Sequence, residues 1–160
     1  MKDNKEFLIN KSKSDSRVLI NVTLLGICFT LFTFIITIKP ELLNENIFLT
    51  LQLVCSIPLL MSALFARSKL GYTIKARRWD NLGFFAFLLG YTFLINVVGI
   101  LLISLISLKV GIIFFGVNIL SPIVYSCVDI SYDRNKLKER LLKDGFFILL
   151  VIILGILPAL

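Results

Sequence analysis

The chain has 160 residues, 58% of them apolar and 17% charged, with a formal net charge of +7 and a mean hydropathy of +0.93. A soluble domain of this size is normally about 45–50% apolar and about a quarter charged. The apolar excess falls in a few long runs, which excludes disordered, collagen-like, disulfide-framework and ordinary globular classes.

The expected fold is an all-α, polytopic transmembrane helical bundle. Residues 1–17 are basic and read as a cytoplasmic N-terminal arm. Uncharged runs then predict spans at about residues 18–38, 47–66, 82–106 and 110–128. A hydrocarbon core ~30 Å thick needs about 20 helical residues at 1.5 Å each. A fifth span is predicted over about 143–160, with Pro158 in its last turn. It crosses if Lys143 and Asp144 reach back to the headgroups. Residues 18–160 thus read as a single transmembrane domain. The first run is too long for a signal-peptide core and no small-residue A-x-A site follows it, so it reads as a retained span.

Orientation follows from charge. Lys2, Lys5, Lys11, Lys13 and Arg17 precede the first span. Arg67, Lys69, Lys75, Arg77 and Arg78 lie between the second and third, and Arg134, Lys136, Lys138, Arg140 and Lys143 between the fourth and fifth. The alternate connections hold only Lys39 and Lys109. The positive-inside rule places the protein in the cell membrane with a cytoplasmic N-terminus and, with five spans, the C-terminus outside. Tyr72 and Trp79 fit the cytoplasmic interfacial belt.

Several chemistries have no candidate residues. The chain contains no histidine, which removes H-E-x-x-H zinc sites, Ser-His-Asp triads and the usual proton shuttle. Neither a G-x-x-x-x-G-K-[ST] loop nor a G-x-G-x-x-G motif occurs. Cys28, Cys55 and Cys127 lie in separate spans and form no C-x-x-C pair, so they read as apolar packing. No enzymatic activity, cofactor or metal is expected. From Val18 to Val128 the expected spans carry no Asp, Glu, Lys or Arg, which disfavours an ion-coupled carrier. Asp129 reads as a solvated helix-end carboxylate paired with a nearby base.

Polar and small residues inside the spans are the remaining signal, because close packing and hydrogen bonds hold helices together in lipid. Asn96 and Asn118 fall at one depth about the turn at Ser107–Lys109, near the bilayer middle. They predict either an interhelical bond or a polar constriction repeated around an oligomer axis. Thr23, Thr30, Thr33 and Thr37 read as a packing seam or a conduction path. Gly26 and Gly90 are expected at helix contacts, and Pro58 and Pro122 at kinks. Gly26 and Gly90 also match at a 64-residue offset, as do Pro58 and Pro122, which raises an internal parallel repeat.

The basic connections complete the reading. Arg77, Arg78, Lys136, Lys138 and Arg140 are the candidate contacts to anionic lipid or a cytosolic protein partner. Nucleic acid is not expected, because no folded reader or aromatic platform accompanies the charge. The expected function is a non-enzymatic, homo-oligomeric membrane scaffold or sensor subunit whose basic inner face recruits that partner. A bacterial stress or defence system is one setting for such a module. The alternative is an oligomeric passive channel for ions or small neutral solutes.

Overall fold

The computed structural model describes residues 2–70, 76–132 and 137–159, and the side chains of residues 11, 12, 14–70, 78–132, 137, 138 and 140–159. The described residues are helical almost throughout and form no strand: α1 (Lys2–Ile38), α2 (Glu41–Glu45), α3 (Ile47–Leu70), α4 (Ala76–Leu105), α5 (Leu108–Tyr132), α6 (Leu137–Val151), a π-helical turn (Ile152–Ile156) and α7 (Leu157–Ala159). Five stretches are long and apolar enough to cross a bilayer: Ser14–Ile38, Ile47–Leu70, Arg78–Leu105, Leu108–Tyr132 and Arg140–Ala159. The chain is a multi-pass, all-α membrane bundle.

Each span outruns its charge-free core at the basic end. A sequence count stops at the first charged residue, which is Arg17, Arg67, Asp80 or Asp129 in the first four runs. A helix continues past such a residue, and Lys and Arg carry apolar stems that tolerate the membrane edge. The other ends are set by capping. Asn46 Oδ1 accepts the Leu49 backbone N–H at 3.0 Å, and Ser107 Oγ accepts that of Val110 at 3.4 Å. Each side chain thereby satisfies an orphan donor in the first turn of α3 or α5.

Two compact units divide the chain at Tyr91/Thr92, within α4. In the first, α1 buries Ser14, Asn21, Cys28 and Ile35, seven residues apart. Its partner α3 buries Leu49, Leu53, Ser56, Leu60, Ala63, Arg67 and Leu70, at steps of four and three in turn. That 3.5-residue period is the seam of a helix pair packed knobs into holes. The Cys28 Sγ···Ser56 Oγ contact of 3.4 Å and the Ser14 bond to Arg67 fix the antiparallel register. Leu60, Ala63 and Arg67 of the α3 stripe also meet α4, which Gly83 and Gly90 let approach closely. A Cβ at Gly90 would come 2.9 Å from Leu60 Cγ, and one at Gly83 would come 3.1 Å from Arg67 Cγ. Gly26 differs from the expectation: nothing lies within 4 Å of a Cβ built there. It faces outward on α1, because the heptad seam turns the other side of that helix inward.

The second unit combines the rest of α4 with α5, α6, the π turn and α7. Val97, Ile100, Phe115 and Val151 are its fully buried apolar centre. The Phe115 ring lies where a Cβ at Gly99 would collide with it. The π turn lies just before Pro158, which has no N–H to donate back along the helix. Pro58 and Pro122 lie inside helices that continue past them.

Candidate functional site

The first unit gathers its polar side chains at the end where α3 finishes and α4 begins. Ser14, Arg17 and Asn21 share one face of α1 by their three- and four-residue spacing. Arg67 reaches them from α3, and Asp80 and Phe87 from α4. Arg67 is only 6% exposed. Its Nη1 donates to Asn21 Oδ1 at 3.1 Å, and its guanidinium carbon lies 4.2 Å from the centre of the Phe87 ring. The Ser14 hydroxyl donates to the Arg67 carbonyl at 2.6 Å. Arg17 Nη1 meets Asp80 Oδ1 at 2.5 Å, with side chains 39% and 47% exposed. Arg67 Nε and Asn21 Nδ2 are buried with no hydrogen-bond partner among the described residues.

Arg67 corrects the sequence reading, which counts it among the surface charges of a connection and finds no charge inside the expected spans. It sits within Ile47–Leu70, long and apolar enough to cross. The signal that would have found it is its place in the four-and-three spacing of α3. A surface residue has no reason to keep that phase.

In the second unit, Arg140 lies beside Asp129 and Tyr125. Its Nε and Nη2 each stand 2.7 Å from Asp129 Oδ2. Its guanidinium carbon lies 4.8 Å from the centre of the Tyr125 ring. Ser126 donates to Asp144 Oδ2, tying α5 to α6. Asp129 is thus paired, as expected, but partly buried. Arg140 is engaged in this clasp, with its side chain 26% exposed. Arg78 and Lys138 are exposed. Lys136 and the side chain of Arg77 lie outside the described residues, as does Tyr72.

The deep polar residues are arranged differently from the expectation. Asn118 Nδ2 donates to the Phe114 carbonyl of its own helix at 2.9 Å, not to Asn96. Asn96 is fully buried, with Oδ1 facing Gly155 of the π turn. Thr23, Thr30 and Thr37 are exposed and bond the carbonyls of Leu19, Gly26 and Thr33. Phe29, Thr30, Thr33, Phe34, Thr37 and Ile38 line an open groove of about 520 Å³ along α1.

These groups can do electrostatic work: clasp helices, hold an anion, and offer cations to a surface. Among the described residues, no group of three or more His, Cys, Asp or Glu is placed to hold a metal ion. Cys28 is buried, and Cys55 and Cys127 are exposed and free. No family model, curated protein or solved structure matches the chain.

Proposed function

We propose that the chain is a non-enzymatic, oligomeric membrane scaffold or sensor subunit whose basic helix ends face the cytoplasm and recruit a soluble partner or anionic lipid. The observation that carries this reading is the segregation of basic residues to alternate connections, with Arg78 and Lys138 left exposed there. Each such cation near an anionic leaflet is worth about 1 kcal/mol. Arg17 and Arg140 play a different part, clasping helices through Asp80 and Asp129.

Self-association is supported by the outward face of α1. Thr23, Gly26, Thr30, Thr33 and Thr37 recur there at steps of three and four, and small residues at that spacing let membrane helices approach. The passive-channel alternative draws on the same stripe, but Thr23, Thr30 and Thr37 spend their hydroxyls on their own helix.

Purification from native membranes tests the proposal. The wild type is expected to co-purify with a soluble protein, and the Arg78→Gln/Lys138→Gln variant to lose that protein while its oligomers survive in detergent. Reconstituted liposomes are expected to show no leak. Unchanged partner recovery in a correctly oriented variant removes the recruiting role, and a leak that changes with Thr30 substitutions favours the channel.

A further inference from the structure

We propose that Arg67 and Asn21 form an anion site, rimmed by Arg17, that takes a phosphate oxygen from the headgroup of an anionic phospholipid. The proposal deepens the lipid arm of the reading above and rests on it for the identity of the surrounding membrane face. Its basis is a mismatch of donors and of charge. Arg67 Nε and Asn21 Nδ2 are both buried donors with no acceptor among the described residues. They belong to side chains joined by a 3.1 Å hydrogen bond, so both lie in one small neighbourhood. Native structures rarely leave buried donors orphaned, and an ion is one of the standard explanations.

The charge points the same way. Arg17 and Asp80 are both within electrostatic reach of Arg67. Asp80 is already in contact with Arg17, so the cluster has two cations and one carboxylate. A buried cation needs a counter-charge as well as acceptors, which water does not supply. An anionic oxygen supplies both. Phosphate suits the guanidinium fork better than a point acceptor does.

Position selects the source. Arg67 lies three residues, about 4.5 Å, from the last residue of α3. It is near the end of the stretch Ile47–Leu70, long and apolar enough to cross a bilayer, where a headgroup would be within reach. Arg17 and Asp80 are partly exposed and form the rim. Phosphate approaching there would draw Arg17 toward itself and away from Asp80. Free phosphate has the same chemistry but must come from solution.

The full chain in uncharged detergent, followed by the fluorescence of its one tryptophan, Trp79, next to Asp80, provides the test. Short-chain phosphatidylglycerol, phosphatidylcholine of equal chain length and inorganic phosphate are titrated separately. Phosphatidylglycerol is expected to raise the melting temperature saturably, on the order of 5 °C at about 100 times Kd. Phosphatidylcholine should do nothing comparable. Arg67→Gln removes the cation and should abolish the response. Asn21→Asp keeps the shape but places a carboxylate on Arg67, so it should melt above wild type and respond at least about tenfold more weakly. That variant tests the site even if Arg67→Gln fails to fold.

An Asn21→Asp protein that responds like wild type overturns the site, as does an equal response to both lipids. An equal response to inorganic phosphate retains the site and overturns the lipid source. Loss of the response in Arg78→Gln/Lys138→Gln but not in Asn21→Asp overturns the site and leaves the recruiting surface standing.

Discussion

Gly155 sits directly on Asn96: a Cβ added there would come 2.5 Å from the amide oxygen and 2.9 Å from the Phe115 ring. The π turn brings that glycine to a fully buried amide. Gly155→Ala should therefore overpack the second unit and cost about 1–3 kcal/mol. Detergent melting reads the loss. Adding Asn96→Ala should recover part of it, since the amide oxygen is the nearest obstacle.

Gly26 and Gly90 should respond with opposite sign. Gly90→Ala presses on Leu60 and Leu59, so a loss of about 1–3 kcal/mol is expected. Gly26→Ala meets nothing within 4 Å, and replacing a mid-helix glycine there should stabilise the monomer by about 0.5–1 kcal/mol. Melting curves at equal protein concentration decide the sign. Crosslinking of Gly26→Leu should show fewer oligomers if the outward face of α1 is the self-association surface.

Asn96 and Asn118 should be energetically independent. Because the Asn118 amide bonds Phe114 in its own helix, the Asn96→Leu and Asn118→Leu effects should add within about 0.3–0.5 kcal/mol in a double-mutant cycle. Coupling above about 1 kcal/mol would restore the direct bridge. Asn96→Leu should be the costlier single change, because its site is closed on all sides.

The two ionic clasps should differ in salt sensitivity. The Arg17 and Asp80 side chains are 39% and 47% exposed, against 26% and 18% for Arg140 and Asp129. A coupling of about 0–1 kcal/mol is expected for the first pair, falling as salt rises. The second should hold its coupling better. Double-mutant cycles at low and high ionic strength make the comparison.

Labelling of single cysteines in a cysteine-free background should find positions 12 and 138 accessible from the cytoplasm and position 44 from outside. The ground is the segregation of lysine and arginine between alternate connections. Cytoplasmic labelling at position 44 would reverse the orientation.

Helix number and helix centres were legible in the sequence because bilayer thickness sets the length of an apolar run. Helix ends were not, since a charge in the last turn looks the same as a charge in a loop. Arg67 shows the cost: its charge suggested solvent, while its phase along α3 put it in the seam. Asn96 and Asn118 show a second limit. Counting from a turn gives depth along a helix but not the direction around it, and two amides at one level can point apart. Gly26 and Gly90 occupy matching local sequences and opposite environments. In a helix apolar on every side, composition does not say which face turns inward.

The seam between α1 and α3 has one further consequence. A strict seven-residue repeat is degenerate: sliding one helix by a heptad brings every knob to another hole. The apolar end, with Ile35 on α1 and Leu49 on α3, would tolerate such a slip. At the other end, sliding α1 by seven residues would bring Cys28 or Ser14 to the place where Asn21 now accepts from Arg67, and would leave the Ser14 hydroxyl away from the Arg67 carbonyl. The polar residues act as the key that lets the hairpin close in only one of its equally spaced alignments.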